Sequence, residues 1–305
     1  MQQASTTHTI DVRAALKEGM ARLRAASVPS STLAAELLLM HVLGRDRAWL
    51  YTHSESPMDG TAVQDYFALL SRRSAGEPTQ YLTGKQEFWG LEFEVTPAVL
   101  IPRPETEHVI EIALERLGPR GIKIDMVTGK PSPPLRVADV GTGSGCLAVA
   151  LAHELPHAEV VATDISEAAL EVARRNAARH GASDRVRFDR TNLLEAIGRP
   201  LGTFDLIVSN PPYVARSEAD TLQREVRDHE PHAALFGGLT GIEIYAQLIE
   251  QAAALLAPRG ILVLELGYNS ADAVRRMFHV QQRWANVAVT KDLAGTPRVL
   301  AAERV

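Results

Sequence analysis

From Leu135 to Val305 the chain alternates short apolar runs with amphipathic stretches, and no other feature restricts its fold as tightly. Residues 136–140, 159–163, 185–189, 204–209, 261–266, 286–290 and 297–302 read as strands, and residues 146–154, 167–180, 242–256 and 272–281 as helices between them. Strands separated by helices are joined by crossovers, and crossovers of the usual right hand build a parallel, doubly wound sheet. Only residues 291–296 separate the last two strands. That is too short for a crossover, so this pair runs antiparallel. The expected domain is α/β, with seven strands and a C-terminal hairpin.

Upstream the period changes. Leu16, Met20 and Leu23, then Leu37, Leu38 and Leu39, then Val63, Phe67 and Leu70 recur at helical spacing, which marks residues 1–75 as a small all-helical domain. Val28-Pro29 followed by Ser30, Ser31 and Thr32 stops one helix and offers N-caps to the next. In residues 76–104, Leu91, Phe93 and Val95 alternate with Glu92, Glu94 and Thr96 among glycines and prolines, the pattern of a β-hairpin linker with one wet face. A helix over 105–117 opens the third region, 105–305, and the stretch 118–134 reads as a loop without chemistry.

Composition trims the functional options. The net charge is -5, so there is no global positive field to grip phosphates, and no direct nucleic acid binding is expected. No apolar run approaches the roughly 20 residues of a spanning helix. The stretch from Met1 to Thr9 lacks the order of a secretion signal, and the single cysteine, Cys146, cannot form an internal disulfide. A cytoplasmic protein without membrane contact is expected.

The run Asp139-Val140-Gly141-Thr142-Gly143-Ser144-Gly145 ends the first strand and opens a helix. Glycines there let the backbone approach a ligand closely, and a helix N-terminus offers N–H groups to an anion. The spacing is G-x-G-x-G rather than the dinucleotide pattern G-x-G-x-x-G. This favours S-adenosylmethionine, whose methionine carboxylate can use those N–H groups; the competing reading is a tight turn of structural use only. Asp164 closes the second strand 19 residues after Gly145, near the roughly 20 expected of an acid that binds ribose hydroxyls. Its competing role is to cap the helix that starts near Ser166.

The most specific run is Ser209-Asn210-Pro211-Pro212-Tyr213, directly after the fourth strand. Carboxyl ends of strands in an open α/β sheet face the ligand crevice, so Asn210 projects towards whatever the glycine turn holds. The prolines stiffen the segment and remove backbone donors at 211 and 212. The Asn210 side-chain oxygen and the Pro211 carbonyl can then accept both hydrogens of one planar NH2 group, with the Tyr213 ring packed on that group. Such a cradle suits amides and exocyclic amines, and it helps a poor nucleophile mainly by aiming the nitrogen at a sulfonium methyl. A Pro-Pro turn without chemistry is the bland alternative.

Seven strands ending in a hairpin resemble class I (Rossmann-like) methyltransferases. Asn210-Pro211-Pro212-Tyr213 resembles the NPPY motif of methyltransferases acting on NH2 nitrogens. With Glu87-Phe88-Trp89, Ile101-Pro102-Arg103-Pro104-Glu105-Thr106-Glu107 and Glu265-Leu266-Gly267, the chain resembles the release factor glutamine methyltransferase family (PrmC or HemK) over nearly its whole length. The resemblance implies methylation of the glutamine N5 in the Gly-Gly-Gln loop of peptide chain release factors. It also implies S-adenosyl-L-methionine as cofactor and a helical domain that docks the protein substrate. Carried over by position, Gly141, Thr142, Gly143, Ser144, Gly145 and Asp164 contact the cofactor. Asn210, Pro211, Pro212 and Tyr213 form the catalytic and substrate-binding set, Asn210 also facing the cofactor.

Two positions depart from the family pattern. Asn192 and Leu193 stand where many members have an acid and an aromatic, so Asn192 is expected to bind the adenine amino group and Leu193 to cover the ring. Pro297 replaces the usual acid before Arg298, a local turn variation. Arg103 and Glu105 either form an ion pair or line the entrance over the cofactor. His229 and His232 around Glu230-Pro231 superficially resemble a metal group. No metal is expected, because no cysteine partner exists and methyl transfer to nitrogen requires no Lewis acid; this loop reads as a substrate cover. The competing functions are a ribosomal protein glutamine methyltransferase, an adenine-N6 DNA methyltransferase, which would need base flipping and a basic duplex-binding surface, and a non-catalytic cofactor-binding protein.

Overall fold

The structure, a computed structural model, describes residues 10–118, 134–197, 204–280 and 282–305. The loop expected at 118–134 lies almost wholly outside the described residues. The chain divides into two compact units, one holding the described residues up to Gly84 with Gln223–His229, the other Lys85–Leu222 with Glu230–Val305.

The first unit contains helices α1 (Val12–Ala25), α2 (Ser31–Leu43), α3 (Arg47–Thr52), α4 (Gly60–Ser74) and α5 (Thr79–Thr83). Asp11 and Asp46 cap α1 and α3 by accepting the N–H of Ala14 and Trp49, each at 2.7 Å. Ser30 precedes α2 in a left-handed conformation and makes no side-chain cap. The apolar stripes predicted from periodicity meet in one core, with Leu16, Leu23, Leu38, Leu39, Tyr66 and Leu70 buried. Gly19 is required there, because a Cβ would stand 2.1 Å from the Tyr66 hydroxyl. The boundary falls at 84/85 rather than at 75/76, because α5 packs on α2 and α4.

The second unit begins with a hairpin of β1 (Lys85–Phe88) and β2 (Leu91–Glu94). Both turn residues, Trp89 and Gly90, have positive φ (54° and 71°), as a two-residue turn matched to strand twist demands. Glu107 at the start of α6 (Glu107–Leu117) accepts the Trp89 N–H at 2.8 Å, and Glu154 accepts its indole N–H at 2.8 Å. The Glu-Phe-Trp signature therefore anchors the hairpin.

The chain then runs through β3 (Arg136–Val140), α7 (Cys146–Glu154), β4 (Glu159–Asp164), α8 (Glu167–Arg179), β5 (Val186–Arg190), β6 (Phe204–Ser209) and β7 (Val214–Ala215). It continues through α9 (Arg224–His229), which belongs to the first unit, α10 (His232–Leu235), β8 (Phe236–Gly238), α11 (Glu243–Leu255), β9 (Leu256–Glu265), α12 (Ala271–Val280), β10 (Trp284–Lys291) and β11 (Pro297–Arg304). Seven strands form one sheet in the order β10-β11-β9-β6-β3-β4-β5. The terminal pair is antiparallel, as its short connection requires. Alternate residues serve opposite faces: Val137 and Leu206 join the core under α6 and α7, while Ala138 and Ile207 join the core under α11 and α12.

Parallel register fixes where the chemistry sits. Val140 pairs with Thr163 and Ser209, and Ser209 with Leu264, so β3, β4, β6 and β9 end level. Gly141, Asp164, Asn210 and Glu265 follow or close these strands at one edge. Strand order reverses beside β3, with β4 on one side and β6 on the other, the switch point at which such sheets open a crevice. The 216–235 stretch, expected only as a long loop, contains a 3-10 turn (Arg216–Thr221) and two short helices, and β7 and β8 pair across its base.

Candidate active site

The glycine turn is held mainly by its own strand and the next. Gly141 and Thr142 donate their N–H groups to the Thr163 carbonyl, each at 2.9 Å, Gly143 donates to Asp164 Oδ2 at 3.0 Å, and Gly145 to the Thr142 carbonyl at 2.8 Å. Four of the five amides in 141–145 thus already have partners within the protein. Asp139 is fully buried and accepts the Thr142 hydroxyl at 2.6 Å and the Ala148 N–H at 3.1 Å through one oxygen, pinning both ends of the turn. Burial pushes its carboxyl up to about 7. Asn176 on α8 is also fully buried; its Nδ2 donates to the carbonyls of Ser144 (2.9 Å) and Glu94 (3.0 Å), joining turn to hairpin.

Asp164 points its carboxylate at this turn. Besides Gly143, it accepts the Ser166 N–H at 2.9 Å, while the N-cap of α8 is Ser166, whose hydroxyl accepts from Ala169 N at 3.2 Å. A carboxylate has about four lone-pair sites, so with the N–H groups of Gly143, Ser166 and Ile165 upon it at least one remains for a ligand hydroxyl. Burial raises its pKa, opposed by the N–H groups of Ser166, Gly143 and Ile165.

A cavity of about 280 Å3 opens over these groups, at the small end of the range for small-molecule sites. Of the residues singled out from sequence, Gly141, Thr142, Gly143, Ser144, Asp164, Asn192, Leu193, Asn210 and Pro212 line it. Gly145, Pro211 and Tyr213 lie outside its lining. Gly145, at φ 82°, instead lets the turn pack on Ala173. Tyr213 packs its ring on Gly267, where a Cβ would come within 2.7 Å of ring carbon Cδ2; the ring therefore backs the cradle rather than facing the cavity.

Two asparagines turn acceptors to the cavity. Asn192 donates Nδ2 to Glu195 at 2.6 Å, and Asn210 donates Nδ2 to the Thr106 hydroxyl at 3.1 Å, so each leaves Oδ1 for a ligand N–H. Leu193 stands at φ 49°, in the left-handed region, where a non-glycine residue costs about 1–2 kcal/mol; its side chain completes the apolar wall with Val99, Leu100, Pro102 and Ile165. The polar side carries the Asp164 carboxylate and Ser144 Oγ, which is buried and without a hydrogen-bond partner among the described residues. Apolar wall, orphan hydroxyl and unused carboxylate lone-pair capacity together suit a ligand with a flat ring, a polyhydroxyl portion and a polar tail.

Several residues have roles that pattern reading did not assign to them. Glu230, buried, accepts Ile101 N–H at 3.2 Å and pairs with Arg103, fastening the segment that supplies Leu100, Pro102 and Arg103 to the one that supplies Pro231, Ala233 and Phe236. Arg103 thus both lines the cavity and forms an ion pair, with Glu230 rather than Glu105. Gly237 and Gly241 pass so close to the Pro212 and Tyr213 carbonyls that Cβ atoms would sit 2.3 and 2.4 Å away. A Gly-Gly pair in a long loop was the available signal. Cys146 is buried, which pushes its thiol up to about 12, opposite to the lowering a helix start would give.

Comparison with known proteins agrees in fold and family. The chain matches the PrmC N-terminal domain over residues 14–84 and the methyltransferase small domain over residues 128–232. A release factor glutamine methyltransferase of Koribacter versatilis is 46% identical over 96% of this chain and 98% of that protein. Another, of Nitratidesulfovibrio vulgaris, is 40% identical over 100% of this chain and 98% of that protein. Among solved structures, the hMettl16 catalytic domain in complex with MAT2A 3'UTR hairpin 1 aligns with a TM-score of 0.56 at 17% identity, covering 76% of this chain and 79% of that one. That likeness speaks for the fold alone.

Proposed function

The chain belongs to the release factor glutamine methyltransferase family, and we propose that it methylates the side-chain amide nitrogen of the glutamine in the Gly-Gly-Gln loop of a peptide chain release factor. The cofactor of this family, S-adenosylmethionine, supplies an electrophilic methyl carbon on a sulfonium. Asp164 would hold the ribose hydroxyls, Asn192 Oδ1 the adenine amino group, Leu193 and Ile165 the ring, and the residues around Ser144 the polar tail.

The observation that carries the reading is the orientation of Asn210, whose nitrogen is committed to Thr106 and whose oxygen is left for the cavity. With the Pro211 carbonyl, that oxygen would accept both hydrogens of the target NH2. An amide nitrogen is a weak nucleophile because its lone pair is delocalised, so most of the gain comes from alignment and from polarising two N–H bonds. Tyr213 and Gly267 would keep the segment rigid from behind.

In this reading the protein partner is the release factor, docked through the helical unit, and the reaction takes place in the cytoplasm without membrane or direct nucleic acid binding. No helix among the described residues is long and apolar enough to cross a membrane. The test is transfer of labelled methyl from the cofactor to a purified release factor, to ribosomal proteins and to duplex DNA. Labelling of the release factor at glutamine is expected; labelling of DNA or ribosomal protein instead would replace the reading.

A further inference from the structure

Asn210 can act as an acceptor only if its carboxamide is turned one way, and the two ends of a carboxamide have nearly the same shape. Sterics therefore cannot choose between them, and a hydrogen-bond partner must. That partner is the Thr106 hydroxyl at 3.1 Å, 2% exposed and supplied by the turn before α6. A hydroxyl can accept from Asn210 Nδ2 or donate to Asn210 Oδ1, so it selects an orientation only when its own proton is committed elsewhere.

Glu265 is the group placed to provide that commitment. This residue closes β9, and since Ser209 pairs with Leu264, it stands next to Asn210 at the level strand ends. It is 1% exposed, and Oε2 has no hydrogen-bond partner among the described residues. Burial pushes the Glu265 carboxyl up to about 7, and the neighbouring Thr106 hydroxyl, Arg298 and Arg103 oppose that rise while Glu105 adds to it. In its ionised form this carboxylate is acceptor-only, so in that form it takes the Thr106 proton and leaves Thr106 Oγ1 able only to accept.

We propose that Thr106 and Glu265 are positioning residues whose one-way hydrogen-bond chain, Asn210 Nδ2 to Thr106 Oγ1 and Thr106 hydroxyl to Glu265 carboxylate, sets the Asn210 oxygen towards the target amide. This deepens the function proposed above and rests on it. Without the chain Asn210 is free to flip, and its NH2 would then meet the NH2 of the target, donor against donor. Neither residue touches the reacting atoms. Together they give a chemical use to the Pro-Glu-Thr-Glu and Glu-Leu-Gly motifs.

The experiment compares wild type with Thr106→Val, Thr106→Ser and Glu265→Gln in the full chain, measuring kcat and KM for release factor methylation and calorimetric affinity for S-adenosylmethionine. Thr106→Val keeps the shape and removes the hydroxyl; kcat should fall about 10- to 100-fold, the scale of a misaligned reacting group, with cofactor affinity unchanged. Thr106→Ser restores the hydroxyl and should recover most of kcat. Glu265→Gln can donate to Thr106 and free its proton, so it should fall between wild type and Thr106→Val. Full kcat in folded Thr106→Val, or Thr106→Ser as impaired as Thr106→Val, would overturn the proposal; wild-type kcat in Glu265→Gln would remove Glu265 from it. An inactive wild type would instead strike the proposed function, so the two failures are distinct.

Discussion

The two halves of the cavity are supported in opposite ways. The glycine turn and Asp164 are braced by neighbours in the chain: Thr142 bonds Asp139 three residues away, Ala148 bonds Asp139 nine away, and Gly143 bonds Asp164 21 away. The Asn210 cradle is braced from afar, by Thr106 at 104 residues' separation, and the neighbouring wall by a bond between Ile101 and Glu230 at 129. One half comes with a strand–turn–helix unit and its neighbour. The other exists only when the whole second unit has assembled, because each distant brace must wait for its loop to close. Damage to the cradle should therefore spare cofactor binding, and damage to the turn should spare alignment of the amide.

The sharpest break between the halves is Asn210→Ala. It removes an acceptor aimed at the target amine, so turnover should drop by about 100- to 1,000-fold while calorimetric cofactor affinity is kept; a loss of affinity with normal single-turnover methylation would merge the halves. Gly237→Ala attacks the same half through its support, since the new Cβ would lie 2.3 Å from the Pro212 carbonyl. We expect about 1–3 kcal/mol of destabilisation in chemical denaturation and a lower kcat with cofactor affinity little changed. In the other half, Asp164→Ala should weaken cofactor binding by about 1.5–3 kcal/mol, the range for hydrogen bonds to a charged group, while kcat at saturating cofactor stays near wild type. Equal affinity by calorimetry would remove Asp164 from the ribose site.

The smallest effect is one both halves share. Burial pushes the carboxyls of Asp139 and Glu265 up to about 7. Because these folded-state values lie above the unfolded ones near 4, each group's contribution to stability is complete below about pH 4 and is lost as pH rises through about 7. Unfolding free energy should fall there with a slope of up to about 1.4 kcal/mol per pH unit for each group. Asp139→Asn should flatten the share of the turn and leave that of the cradle, as read by denaturant titrations across this range. A level wild-type profile would mean that both carboxyls stay ionised in the folded chain.

Legibility followed the same division. The sheet elements were readable because period-two runs and helical spacing are local properties, and β3, β6 and α7 fall where the pattern put them. Strand β9 runs longer than its apolar core, since Leu256–Glu265 includes Arg259 at φ 65°. The division at 84/85 was not readable, because only packing reveals which unit takes the short α5. Nor was the transfer of α9 to the first unit, where the buried Arg73 pairs with Glu225. In the site, the glycines, Asp164 and Asn210 were visible as motifs, but the motif did not say that Tyr213 backs the cradle or that most turn amides are already spent.

The order of residues alone determined the class of fold, the glycine turn and the presence of an amide cradle, since each depends on side-chain period, backbone freedom or a contiguous tetrapeptide. Only the tertiary structure decided which way Asn210 points, what Arg103 pairs with and which residues close the cavity. Those outcomes depend on hydrogen-bond partners more than a hundred residues apart, and no local preference of the chain can bring such groups within hydrogen-bonding distance of one another.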